Sequence, residues 1–282
     1  MRFGLNLLLW TDTLSDDFLP LLGELKEIGY DAVELPVFGP DKATCAKWCK
    51  HLDSVGLART GTVVCSPEAN PISPDEKIRQ AGIDANKQAL DQCAALGCEI
   101  MAGPLHSALG CFSGKGPTAD EWRWGVESMR EVAEHAAEVN VTLGVEYLNR
   151  FECYFLNTAA DGARFVHDVD HPRCQMMYDT FHAHIEEKSI TDAIRSLKDC
   201  LCHVHISEND RSTPGAGNVR WDENFDTLAE IGYDGLMTVE AFGLALPNLA
   251  AATKIWRRMF KTEKQLATDA LAFMKSEVAK RG

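Results

Sequence analysis

Positive charge is scarce in this chain. Its 282 residues carry 28 Lys and Arg against 42 Asp and Glu, a formal net charge of −14. Nucleic acid and anionic membrane surfaces both call for a basic footprint, so the deficit argues against either as a partner. Long apolar runs are missing too. A membrane-spanning helix takes about 20 consecutive apolar residues, whereas the apolar N-terminal run from Met1 to Trp10 stops at Thr11 and Asp12. No basic segment leads to a small-residue cleavage site, so the sequence predicts no cleaved leader and reads this run as a buried first strand. Cys-x-x-Cys pairs are absent although there are 10 cysteines. In a chain of this length they read as free thiols acting as small buried hydrophobes, not as a disulfide framework or zinc site, and a reducing cytoplasm follows. No Gly/Ser-rich or Pro-rich linker divides the chain, so residues 1–282 are read as one domain. At 45% hydrophobic residues, the chain can bury enough surface to offset its ordering entropy.

What is present is a repeated unit: a short apolar run, a turn, an amphipathic stretch, another turn. The predicted strands are Phe3–Leu9, Ala32–Pro36, Ala58–Val64, Ile100–Gly103, Thr142–Glu146, Cys174–Asp179, Leu201–Ser207 and Leu236–Glu240. Between them, Phe18–Ile28, Pro74–Leu96, Ala119–Val139 and Asp222–Ile231 carry apolar residues at three- and four-residue spacing, the period of a helix. Gly29, Gly56, Gly97 and Gly232 sit where helix C-caps belong, and Pro74 sits where a first helical residue belongs. Alternating strands and helices predict an α/β protein with a parallel sheet, and eight units in one chain favour a closed (β/α)8 TIM barrel. An open doubly wound sheet is the alternative, but Trp10-Thr11-Asp12-Thr13 is no Gly-rich dinucleotide turn. The stretch from Leu246 to Gly282 is predicted as a C-terminal extension of two helical pieces broken near Thr262. Within it, Lys254 to Phe260 combines two aromatics with three cations, and is expected over the barrel mouth, at a subunit contact, or as an amphipathic helix face.

Chemistry in such barrels sits at the C-terminal strand ends. Strand five ends on Glu146, strand six on Asp179, strand seven carries His203 and His205, and strand eight ends on Glu240. A single strand-end acid is usually a cap or a surface pair; four successive strands delivering Glu146, Asp179, His205 and Glu240 converge on one point. Converging carboxylates repel unless a cation neutralises them. Three carboxylates and one imidazole suit Mn²⁺, Mg²⁺, Co²⁺ or Fe²⁺ better than structural zinc. His205 is the better ligand of its pair, His203 lying one layer deeper as core filling, and His184 is read as surface.

Glu146-Tyr147-Leu148-Asn149-Arg150-Phe151-Glu152, Asp179-Thr180-Phe181-His182 followed by Ile185-Glu186-Glu187, His203-Val204-His205-Ile206-Ser207-Glu208 with Arg211, and Gly232-Tyr233-Asp234-Gly235 through Glu240 together resemble the ketose 3-epimerases. These act on D-tagatose, D-allulose and L-ribulose and are xylose isomerase-like TIM barrels. The resemblance implies Glu146, Asp179, His205 and Glu240 as metal ligands, Mn²⁺ first, with Co²⁺ or Mg²⁺ as alternatives. It implies Glu152, His182 and Arg211 as contacts to the O1–O3 end of a sugar, and a homodimer or homotetramer. The family's better-known members carry aromatics where Asn6 stands and near Leu14, positions that face the far end of the sugar.

Inverting C3 of a ketose requires removing a proton alpha to the C2 carbonyl and returning one to the opposite face. Glu146 and Glu240, on strands five and eight, are the expected acid–base pair, and His182 and Arg211 the expected donors to the oxygen gaining charge. Trp10 is expected as a pocket wall or a core residue, and Arg150 with Glu152 as substrate contacts or a structural ion pair. The alternatives are an aldose–ketose or hydroxypyruvate isomerase on the same barrel, a metal-dependent phosphodiesterase like the related AP endonucleases, and a non-catalytic sugar-binding barrel.

Overall fold

Eight parallel strands close into a barrel in chain order, with β1 pairing back onto β8, in a computed structural model that describes residues 1–281. Gly282, the last residue of the predicted extension, lies outside them. The chain runs β1 (Arg2–Asn6), α1 (Leu19–Ile28), β2 (Ala32–Pro36), α2 (Lys42–Val55), β3 (Ala58–Thr62), α3 (Glu76–Leu96), β4 (Ile100–Gly103) and α4 (Ala119–Glu138). It continues β5 (Thr142–Glu146), α5 (Ala159–Val169), β6 (Cys174–Asp179), α6 (Thr180–Glu186), α7 (Ile190–Ser196), β7 (Leu201–Ile206), α8 (Trp221–Glu230) and β8 (Leu236–Val239), then α9 (Pro247–Ala252) and α10 (Glu263–Ala279).

The alternation of a strand assigns each residue to one of two environments. Leu5, Val33, Leu35, Leu143, Val145 and Ile206 belong to the hydrophobic core between strands and helices. The alternate positions turn to the barrel axis, where register places Asn6 beside Glu34, Glu34 beside Thr60, and Asp179 beside His205. That interior is tight: a Cβ on Gly4 would lie 2.6 Å from the hydroxyl of Thr238. Side-chain caps begin the helices, among them Asp41, Asp75, Thr158 and Thr262, with a reciprocal capping box between Thr118 and Glu121. Gly29, Gly56 and Gly97 close α1, α2 and α3 in the left-handed conformation expected of them.

Three local expectations are corrected. The first strand ends at Asn6, not Leu9. The Asn6 side chain accepts the backbone N–H of Leu8 at 2.9 Å and turns Leu7–Leu9 into a short 3-10 segment. Helix α3 starts after Asp75, whose carboxylate accepts from Lys77 N, so Pro74 precedes the helix instead of opening it. Lys254 to Phe260 is not helical. Lys254 has φ of +62°, and Ile255 is buried with Leu8, Phe242 and Ala250. The extension does form two helices, and Thr262 caps the second. All ten cysteines are free thiols, and among the described residues no helix is long and apolar enough to cross a membrane.

Candidate active site

Glu146 is the last residue of β5 and Asp179 the last of β6, His205 lies near the end of β7, and Glu240 directly follows β8. All four side chains are buried at the same end of the barrel. His205 Nδ1 stands 3.6 Å from Asp179 Oδ2 and 3.5 Å from Glu240 Oε1, beyond hydrogen-bonding range. It has no hydrogen-bond partner although it is buried. Two ligands of a cation with bonds of about 2.1 Å sit roughly 3.0–3.4 Å apart at octahedral to tetrahedral angles. The separations here stand 0.1–0.2 Å beyond the upper end of that range. Asp179, His205 and Glu240 each present one ligand atom within 4.8 Å of the others, and Glu146, Asp179 and His182 form a second such group sharing Asp179. An oxygen-rich donor set with one imidazole fits Mn²⁺, Co²⁺ or Mg²⁺.

The two glutamates are electrostatically unlike. Burial and the facing carboxylate of Glu240 push the Glu146 carboxyl well above the usual range. Burial acts on Glu240 in the same sense, but Arg211 and His205 outweigh it and hold its pKa low. Burial also opposes charge on His205, yet Glu34 and Glu240 raise its pKa well above the ordinary value.

His182, on the first turn of α6, is a neutral donor. Its Nδ1 accepts the backbone N–H of Asn149 at 3.0 Å, so the ring proton resides on Nε2. Burial lowers its pKa to about 3. Nε2 lies 3.5 Å from Glu146 Oε1 and 3.1 Å from Nη2 of Arg211.

Arg211 is buried with Nη1 3.1 Å from Asp179 Oδ2 and 3.0 Å from Ser207 Oγ, and also pairs with Glu240. Its guanidinium lies 3.7 Å from the ring centre of Phe181. Its φ is +62°, an uncommon conformation for arginine. The loop enforcing it is organised by Glu208, a fully buried carboxylate accepting from the N–H groups of Asn209, Gly215, Asn218 and Val219 and the indole of Trp221, at 2.8–3.1 Å. A Cβ on Gly217 would lie 2.6 Å from this carboxylate.

Other expected residues are placed as follows. Glu152 is half-buried and accepts the Asn149 amide at 2.9 Å. Arg150 pairs with Glu186 at 2.9 Å, so the expected alternative of an Arg150–Glu152 ion pair is corrected. Trp10 is half-buried and packs on the core, and His184 is half-buried too, not at the surface. Leu14 is buried in the core. The Asn6 amide donates to Glu34 at 2.8 Å. Two buried groups escape a reading that starts from strands five to eight. Glu34 of β2 lies beneath the cluster, 2.7 Å from His205 Nε2 and 2.9 Å from His203 Nε2. His106 Nε2 donates to the backbone carbonyl of Glu146 at 2.8 Å, and burial lowers its pKa to about 4. A lone acid inside Ala-Val-Glu-Leu-Pro is the signal that marks Glu34. A cavity of about 550 Å³ bounded by His167, His171, Cys174 and Cys200 lies at the opposite end of the barrel, where such folds carry stability instead of chemistry.

The family model described as xylose isomerase-like TIM barrel matches residues 22–276. The D-psicose 3-epimerase of Ruminiclostridium cellulolyticum is 33% identical over 95% of this chain and 96% of its own. The L-ribulose 3-epimerase of Mesorhizobium japonicum is 30% identical over 97% and 93%. A solved structure of L-ribulose 3-epimerase superposes with a TM-score of 0.93 at 29% identity, covering 99% of this chain and 95% of that one. On matches of this extent, the chain belongs to the xylose isomerase-like TIM barrel family and, within it, to the ketose 3-epimerases.

Proposed function

We propose that this protein epimerises a free ketose at C3, with Glu146 and Glu240 as the acid–base pair. The observation that carries the reading is geometric: Glu146 and Glu240 come from β5 and from just after β8 to one buried site, each grouped with the same Asp179. One carboxylate takes the C3 proton and the other returns a proton to the opposite face. The roles exchange for the other epimer. Charge then grows on O2, where His182 Nε2 and Arg211 converge as donors in a buried site, the setting in which fixed dipoles act most strongly. Glu152, tied to Asn149, holds the C1 end. A divalent cation held by Glu146, Asp179, His205 and Glu240, Mn²⁺ first and Co²⁺ or Mg²⁺ as alternatives, would supply Lewis-acid stabilisation of that charge.

The excess of acidic residues suits a neutral sugar, and the free thiols suit a cytoplasmic enzyme. We place a homodimer or homotetramer contact on the side of the barrel carrying the site, where Phe151 and Trp256 are 74% and 71% exposed on the loops after β5 and α9. The test is to incubate Mn²⁺-loaded protein with fructose, tagatose, ribulose and xylulose and to identify products by chromatography. C3 epimers support the proposal; aldoses alone would replace it with aldose–ketose isomerisation.

A further inference from the structure

Glu34 touches nothing in the reaction as proposed, yet it is a fully buried carboxylate on a strand whose other residues are Ala, Val, Leu and Pro. An ion in that position persists only when its oxygens are met by donors. Here each oxygen has two neighbours. Oε1 accepts from Asn6 Nδ2 at 2.8 Å and lies 2.7 Å from His205 Nε2. Oε2 accepts from Thr60 Oγ1 at 2.8 Å and lies 2.9 Å from His203 Nε2. Glu34, His203 and His205 are also a possible ligand cluster in their own right. The 2.7 Å contact with His205 is a hydrogen bond, shorter than the about 3.0 Å between two ligands at right angles around an ion with bonds of about 2.1 Å. His203 Nε2, at 2.9 Å, makes no hydrogen bond.

We infer that Glu34 is a positioning residue for His205: by accepting its Nε2–H, it turns Nδ1 toward the corner between Asp179 and Glu240. The observation is two-sided. One imidazole nitrogen is engaged below at 2.7 Å, and the other is buried above with no partner, 3.5 and 3.6 Å from the two carboxylates. A rotated ring would turn the free nitrogen toward the layer of Asn6 and Thr60. Asn6 belongs to the same anchor, because its amide donates to the oxygen that receives His205. Carboxylates standing behind a ligand histidine in this way fix ring orientation and strengthen the ligand.

This inference rests on the metal-dependent reading above, and the test separates the two. Metal-free wild-type, E34Q and T60V proteins are titrated with Mn²⁺ by calorimetry, with circular dichroism melts establishing that each is folded. T60V removes a donor to the same carboxylate from its other oxygen, without touching His205. E34Q is expected to bind Mn²⁺ about 10–100-fold more weakly than wild type, and T60V within about threefold of it. E34Q binding as wild type does, or T60V weakened as much as E34Q, overturns the positioning role while leaving metal dependence intact. Wild-type protein that binds no Mn²⁺ overturns both.

Discussion

The backbone N–H of Asn149 donates to Nδ1 of His182 across 3.0 Å, and this one bond decides that His182 turns a proton, not a lone pair, toward Glu146. It joins the loop after β5 to the start of α6, so the two segments that resemble known epimerase motifs are also bonded to each other. Because burial lowers the His182 pKa to about 3, the ring stays neutral throughout a working pH range.

H182A is therefore expected to lower kcat by about 10²–10³-fold, the usual loss for one donor at a charge-developing oxygen. The fold should be retained. Steady-state kinetics with Mn²⁺ at saturation check this, and the kcat profile between about pH 5.5 and 9, all of it above the ring's own titration at about 3, should carry no His182 inflection.

Cation affinity should rise with pH. The pKa values of Glu146 and His205 are both raised, so in metal-free protein both favour a proton where a cation needs a lone pair. Below those values affinity should fall by up to about tenfold per pH unit for each proton displaced. Calorimetry in buffers of different ionisation enthalpy should register proton release. The His205 charge itself stabilises the metal-free fold below the unfolded-state pKa, and that contribution is lost as pH rises through the raised folded value.

Removing the cation should end turnover and lower Tm. Glu146, Asp179 and Glu240 are buried close to one another, and a cation relieves their repulsion. At Mn²⁺ about 100-fold above its Kd, binding should add about 2.7 kcal/mol of stability. Differential scanning calorimetry with chelator and with Mn²⁺ measures the difference, and restoring Mn²⁺ should restore activity.

E208Q should act through Arg211. The amide offers one acceptor oxygen to a set of donors that now converge on a carboxylate. The loop should loosen, with a destabilisation of about 1–3 kcal/mol. KM for the ketose should rise along with the fall in kcat, because Arg211 leaves its left-handed position. Melting curves together with a KM–kcat comparison check this.

The barrel was legible because strands covered on both faces read as short apolar runs with glycine-closed helices between them. Glu146, Asp179, His205 and Glu240 could be picked out because each lies at or within one residue of the end of a successive strand. Other features depend on partners distant in sequence. Leu7–Leu9 has the composition of a strand and turns only because the Asn6 side chain caps it. Arg150 takes Glu186, thirty-six residues away, over the neighbouring Glu152. Lys254 to Phe260 leaves the helix because Ile255 packs on Leu8 and Phe242. Glu34 belongs to the site only once β2 and β7 face each other across the barrel axis.

The central claim, two opposed glutamates inverting C3, is tested most directly by turnover in D₂O with Mn²⁺-loaded wild-type, E146Q and E240Q proteins. The account predicts solvent deuterium at C3 of the ketose recovered from wild type, and loss of epimerisation by at least about 10²-fold in each variant with the fold retained. Wild-type deuterium confined to C1 or C2, or full epimerase activity in either variant, would contradict it.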